Sequence, residues 1–211
     1  AQHENKENTM SYDFDEGSNS SDSAIGPFLN WHARETLDGA LGSRTFSIRN
    51  EEGERIDVTA QMKKGVAFDL DTLRTGWCYS DGSPGVAPEW QWNDSPSRFN
   101  TAQPEDRGGE RWKKGFSVRV ALGKDQAATW SQAGAGAWAG LVHLMRAVKE
   151  DGGSGETVIA AMSDVDEIKF KKGSTSSPMF SVKKWADRPD CLTASSEPEQ
   201  EAATVEADDE F

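Results

Sequence analysis

Only one segment of this chain, about residues 132–150, repeats its apolar side chains with the period of an α-helix. Its apolar residues Trp138, Leu141, Val142 and Met145 recur at helical spacing, so they form one stripe along a predicted helix. The remaining apolar residues alternate with polar ones or form short runs. The chain is therefore predicted to be mostly β, with a single helix of ordinary length.

Alternation marks the predicted strands. Residues 45–49 and 55–59 alternate on either side of a turn at 50–53 and predict a hairpin, and residues 116–122 alternate cleanly. Residues 27–32 are the first stretch expected to be ordered, and further strand candidates are 66–80, 157–170 and 179–185. The predicted order is several strands, then a helix, then two or three more strands. This is the order of a five-stranded antiparallel barrel of the oligonucleotide-binding (OB) type, here with long loops.

Acidic charge is concentrated at the two ends of the chain. Residues 1–23 carry six acids and one lysine, and residues 195–211 carry seven acids and no base, so 24–194 is close to neutral. Both ends are polar and are predicted to be disordered. We therefore expect one domain, 24–194, between a disordered acidic N-terminal segment and a disordered acidic C-terminal tail.

Several classes of protein do not fit this sequence. No run approaches the roughly 18 apolar residues of a membrane span, and the first residues lack the basic and apolar regions of a signal peptide. Cys78 and Cys191 form no CxxC motif and fit a reducing compartment, and His32 and His143 lack metal-ligand spacing. We expect a cytoplasmic protein that needs no membrane, metal or cofactor.

Aromatic residues interleaved with basic ones are the strongest functional signal. Residues 111–114 read Arg-Trp-Lys-Lys and residues 183–185 read Lys-Lys-Trp. Proteins bind single strands in this way, because bases stack on aromatic rings while Lys and Arg contact phosphates. Alternation predicts Phe180 and Val182 on one face of a strand and Ser181, Lys183 and Trp185 on the other. The competing interpretation is that the indoles belong to the core.

The predicted nucleic-acid site draws on both kinds of residue. The predicted stacking residues are Trp77, Trp90, Trp92, Phe99, Trp112 and Trp185. The predicted phosphate contacts are Arg98, Arg111, Lys113, Lys114, Arg119, Lys171, Lys172, Lys183 and Lys184.

The sequence leaves two other functions open. The carboxylate pairs Asp69/Asp71 and Asp164/Asp166 could hold Mg²⁺ in a nuclease. Trp90 and Trp92 lie on one side of an extended segment and could instead clamp a sugar ring, as in a glycan-binding or virion structural module.

The segment 205–211 ends in Asp208, Asp209, Glu210 and Phe211, after a polar linker. In this it resembles the single-stranded DNA-binding proteins of tailed phages and bacteria. The bacterial proteins end in Pro-Phe, whereas Glu-Phe here is closer to the phage branch. The resemblance implies a non-enzymatic OB domain that protects single-stranded DNA in replication, recombination and repair, in the host cytoplasm if phage-encoded. It also implies a tail that competes with DNA and recruits partner proteins through Asp208–Phe211; a homo-oligomer is possible.

Overall fold

The structure, a computed structural model, describes residues 25–80, 86–107 and 111–193. Nine strands and three helices form in these parts of the chain. The strands are β1 (Phe28–His32), β2 (Thr45–Arg49), β3 (Arg55–Asp57), β4 (Val66–Tyr79), β5 (Glu89–Trp92), β6 (Lys113–Ala121), β7 (Ala127–Ala133), β8 (Thr157–Phe170) and β9 (Gly173–Ala186). The helices are α1 (Thr59–Lys64), α2 (Ala135–Asp151) and α3 (Asp190–Thr193).

All nine strands belong to one sheet, in the order β3-β2-β1-β7-β6-β4-β8-β9, and β5 pairs with the end of β4. β1 and β7 are parallel and the other pairs are antiparallel. The sheet curls strongly into a half-barrel. As a result β9 comes back against the end of β1, where Trp31 Nε1 donates to Ser176 O at 3.0 Å and Ser176 Oγ donates to Ala33 O at 3.2 Å.

The prediction of a mostly β fold is confirmed, whereas the prediction of a five-stranded barrel is wrong. The stretch 27–32, expected only to be ordered, forms β1, and together with the predicted hairpin at 45–59 it extends the sheet beyond β7. Two strands were not predicted at all. They are β5, which lies in the Pro-rich segment 81–110, and β7, whose residues are mostly small or polar.

The core lies between the concave face of the sheet and α2. Trp130 is fully buried, and its ring lies 4.7 Å from that of Phe116 and 5.3 Å from that of Phe46. α2 approaches β9 closely because Gly136 and Gly140 face it. A Cβ on Gly136 would lie 2.5 Å from the carbonyl oxygen of Ser176.

α2 matches the predicted helix with small differences. It begins at Ala135 rather than at 132, because the preceding residues pair in β7 and Gly134 turns the chain at a φ of 106°. Val142, predicted on the apolar stripe, is 40% exposed, whereas Leu144 is fully buried. In the described parts of the chain, no helix is both long enough and apolar enough to span a bilayer.

Candidate nucleic-acid interface

The face of the sheet turned away from α2 is the candidate interface. We call it the outer sheet face, and it comprises β1, β5, β6, β7 and residues 74–79 of β4. Strand alternation places on this face Phe28, Asn30, Arg74, Trp90, Trp92, Lys113, Ser117, Arg119 and Ser131. Among the described residues of these strands, none of the side chains on this face is a carboxylate, although Asp69 of β4 lies opposite Arg119 and Asp57 of β3 lies opposite Ser47. The part of the face around Trp90 and Trp92, which carries Arg74 and Lys113, is therefore suited to an anionic ligand.

Trp90 and Trp92 stack on each other on this face. Their ring centres are 4.3 Å apart and their planes differ by 6°. Trp90 is 4% exposed and lies flat against Gly115, where a Cβ would come within 2.8 Å of the indole. Trp92 is half-buried, and the guanidinium carbon of Arg74 lies 4.6 Å from its ring centre. The pair forms a cation-flanked aromatic platform.

An open groove of about 440 Å³ lies on the same side of the sheet. It is lined by Phe28 and Asn30 of β1, Ser131 of β7, Arg49 of β2 and Pro88, together with Gly26 and Pro27. The groove therefore combines an aromatic ring, a guanidinium and neutral hydrogen-bonding groups, which are the components of a single-strand binding surface.

A second aromatic group lies on the opposite, helix-facing side of the sheet. It consists of Trp77, Phe99 and Trp138 around the ammonium of Lys114, and we call it the ring cluster. Lys114 Nζ is 4.7 Å from the ring centre of Phe99, 5.8 Å from Trp138 and 5.9 Å from Trp77. Phe99 meets both indoles edge to face, at 5.3 Å and 5.5 Å.

Residues 93–101 connect these two groups, because they run from Trp92 to the ring cluster. Asn93 organises this loop: its Oδ1 accepts hydrogen bonds from the backbone N–H groups of Asn100 and Thr101, at 3.0 Å and 2.9 Å. Trp77 Nε1 donates to Thr101 O at 2.9 Å and ties the loop to β4. The part of the Pro-rich segment that carries Arg98 and Phe99 is thus fixed by side-chain hydrogen bonds.

Trp112 belongs to a third group on the helix-facing side, with Tyr79 and Arg107. Its ring is 3% exposed and lies 5.5 Å from that of Tyr79, while Arg107 lies over both rings and pairs with Glu89 at 3.0 Å. Burial also raises the pKa of the nearby Cys78 thiol to about 12. In this structure Trp112 therefore supports the sheet and does not present an open ring face.

The predicted phosphate-contacting residues form two groups, one at 98–119 and one at 171–184, that lie far apart. Lys113 of the first group lies opposite Cys78 near one end of β4, whereas β8 and β9, which carry the second group, join the sheet at the other end of β4, through Val66–Phe68. The two ends of β4 are separated by about 25 Å along the strand. Arg98, Arg111, Lys113 and Lys114 are exposed near the platform and the ring cluster, and Arg119 is half-buried on β6. The exposed Lys171, Lys172, Lys183 and Lys184 lie on the β8–β9 hairpin.

The predicted orientation of Trp185 is wrong, because a bulge at Lys183 interrupts the alternation of β9. Ile159 is opposite Lys184, but Ala160 is opposite Val182. Trp185 therefore packs against the core on the same side as Phe180 and Val182. Its Nε1 donates to Asp151 Oδ2 at 2.8 Å, at the C-terminal end of α2.

The two carboxylate pairs, Asp69/Asp71 and Asp164/Asp166, already have partners in the protein itself. Arg188 contacts Asp69 at 2.7 Å and Asp71 at 2.8 Å, and Asp69 is almost fully buried. Asp166 lies 3.4 Å from His143 Nε2, and Asp164 accepts from the backbone of Val165. Across the described ranges, no three His, Cys, Asp or Glu side chains are grouped so that they could hold a metal ion.

In the outer sheet face, the groove and the ring cluster, sequence reasoning missed the aromatic and basic residues Phe28, Arg49, Arg74 and Trp138. The alternation of Arg74 with Gly76 could have indicated a cation beside an aromatic strand. The other three come from elements distant in sequence, so no local signal was present. The predicted partner-binding residues Asp208, Asp209, Glu210 and Phe211 lie outside the described residues.

Comparison with protein-family models, with curated proteins and with solved structures finds no match to this chain.

Proposed function

We propose that the protein binds single-stranded DNA along the outer sheet face and acts without catalysis in replication, recombination or repair. The observation that carries the proposal is the Trp90–Trp92 platform with Arg74 above it, on the outer sheet face beside the groove. Stacking on aromatic rings and attraction of phosphates by cations together bind single strands without sequence preference.

The acidic segment 195–211 has a regulatory role in this proposal. Its seven carboxylates compete with DNA for the cations of the domain, and Asp208–Phe211 recruits replication and recombination proteins when DNA displaces it.

The test is a binding titration with a labelled oligo(dT), in which fluorescence anisotropy measures binding at about 50 and about 200 mM salt. Trp92→Ala is expected to weaken binding roughly 5- to 150-fold, since one stacked base contributes that much. Arg74→Ala is expected to lower the slope of log K against log salt by about one. Trp185→Ala, on the far edge of the sheet, is the matched control and is expected to bind like the unmodified protein.

Two results would count against the proposal. Absence of binding to oligo(dT) and oligo(U) at the lower salt would refute it. Binding to a glycan that persists at the higher salt would favour the sugar-binding alternative, because phosphate-driven binding weakens steeply with salt.

A further inference from the structure

The ring cluster is separate from the outer sheet face and is drawn from four elements. Trp77 belongs to β4, Lys114 to β6, Trp138 to α2 and Phe99 to the loop after β5. The three rings are half-buried, whereas Lys114 is exposed. The exposed ammonium of Lys114 lies within 6 Å of all three ring centres and is closest to that of Phe99, at 4.7 Å.

We infer that the ring cluster is a second binding site for a single nucleobase, and that Lys114 covers this site when no nucleic acid is bound. The inference rests on the proposed function. On binding, the ammonium of Lys114 moves to a phosphate and a base takes its place against Phe99. The ammonium of Lys114 is exposed, and an exposed cation over a ring is held more weakly than a stacked base, so the exchange favours the base.

The path of the chain supports this assignment. Among the described β-strands, β5 pairs only with β4, so β5 is an edge of the sheet that a bound DNA strand can pass around. Trp92 lies on the outer sheet face, and residues 93–101 lead from it around this edge to Phe99. A DNA strand whose base stacks on Trp92 can follow the same route as residues 93–101, which carry the exposed Arg98.

The surroundings of the cluster leave room for the exchange. A cavity of about 280 Å³ lies between α2 and the 93–101 loop, and Trp138 forms part of its wall. Thr75 and Ser97 are its polar lining residues, and Leu70, Leu141 and Met145 are among the apolar ones. Because Trp138 belongs to both, the cavity provides space directly beside the ring cluster. Lys114, whose Nζ is 5.8 Å from the Trp138 ring centre, and Arg98, which follows Ser97 in the chain, favour a ligand that carries phosphate.

The experiment combines abasic scanning with a substitution in the full-length protein. Oligo(dT) molecules with one abasic nucleotide at successive positions are titrated against the unmodified protein and against Phe99→Leu. At one position, the abasic nucleotide is expected to weaken binding of the unmodified protein roughly 5- to 150-fold and to have no further effect on Phe99→Leu. Phe170→Leu, at the exposed tip of the β8–β9 hairpin, is the matched control and keeps the unmodified pattern.

Lys114→Met provides a second variant that leaves the three rings in place. It is expected to retain the position-specific abasic effect and to lower the salt slope by about one. This variant keeps the test decisive if Phe99→Leu does not fold.

Several outcomes would overturn the inference. If Phe99→Leu weakens binding to every oligonucleotide by the same factor, or changes nothing, no base occupies the cluster. The inference also fails if an acidic peptide with an aromatic residue binds the unmodified protein but not Phe99→Leu, while the oligonucleotide data show no position-specific effect. Failure of the unmodified protein to bind any oligonucleotide would instead reject the proposed function itself.

Discussion

At the scale of single residues, Gly115 determines how the platform is built. Between Lys114 and Phe116 it breaks a run of larger side chains, and its missing Cβ leaves the space that the Trp90 indole occupies. Trp90 Nε1 is buried and has no hydrogen-bond partner among the described residues. A buried donor without a partner is costly, so its persistence beside the candidate interface is in keeping with a binding role.

His32 gives the first prediction at this scale. Burial, together with the nearby positive charge of Arg55, lowers the pKa of His32 below its ordinary value of 6.5, against the opposing effect of Asp38 and Asp57. Below about pH 6.5 the unfolded chain therefore binds more protons than the folded one, so the free energy of unfolding falls as the solution is acidified. Replacing His32 by Gln should make this fall smaller.

Urea unfolding of both proteins across this pH range measures the effect. Above about pH 7.5 the two should differ by a constant amount, because the imidazole is then neutral in both states. Equal dependence on pH below that point would show that His32 does not contribute.

At the scale of elements, Arg188 joins the end of β9 to β4. Its guanidinium bridges Asp69 and Asp71, and the hydrogen bond to Asp69 raises the pKa of Arg188 further above its ordinary value. Beyond it, Leu192 of α3 packs with Ile25, Ala67 and other buried residues. The ion pair therefore holds the C-terminal part of the described domain against the sheet.

Replacing Arg188 by Gln should lower the free energy of unfolding by about 3 kcal/mol, because it leaves the Asp69 carboxylate buried without a cation. We expect the lower end of the range for buried pairs, because the Arg188 side chain is 26% exposed. Asp71→Asn is the control, with an expected loss below about 1 kcal/mol because that side chain is 77% exposed. Similar losses in the two variants, measured by urea unfolding, would contradict this account.

The elements also show how far sequence reasoning reaches. α2 and β6 were predicted because their apolar periodicity matches the face they bury, and β8 because it begins with a short apolar run. β5 and β7 were missed, because long-range pairing rather than local pattern makes them strands. The bulge at Lys183 likewise depends on the partner strand, so the side of Trp185 could not be read from β9 alone.

At the scale of the whole molecule, the candidate site was only partly predictable. Composition indicated aromatic rings and cations, and two of the predicted indoles, Trp90 and Trp92, do form the platform. The other residues of the candidate site are determined by the path of the sheet and the position of α2. These bring Trp138 to Phe99 and place the lysines of β8 and β9 away from β6.

The distribution of charge gives a prediction at this scale. Removing residues 195–211 takes away seven acids and no base. If this segment competes with DNA, the shortened protein should bind oligo(dT) more tightly at about 50 mM salt, and the difference should shrink at about 200 mM. Anisotropy titrations of both proteins measure this difference in affinity.

Substituting only Phe211 by Ala is the control, since it leaves all the carboxylates in place. Unchanged affinity after truncation would exclude competition.

The return of β9 to β1 also affects how the molecule meets its own copies. An edge strand exposes backbone groups that can pair with another chain and start aggregation. Here Trp31 and Arg34 donate to the carbonyl oxygens of Ser176 and Ser174, so side chains already occupy acceptors along this edge. A second chain would have to displace the buried indole of Trp31 before it could extend the sheet at these residues, which protects this edge against self-templated assembly.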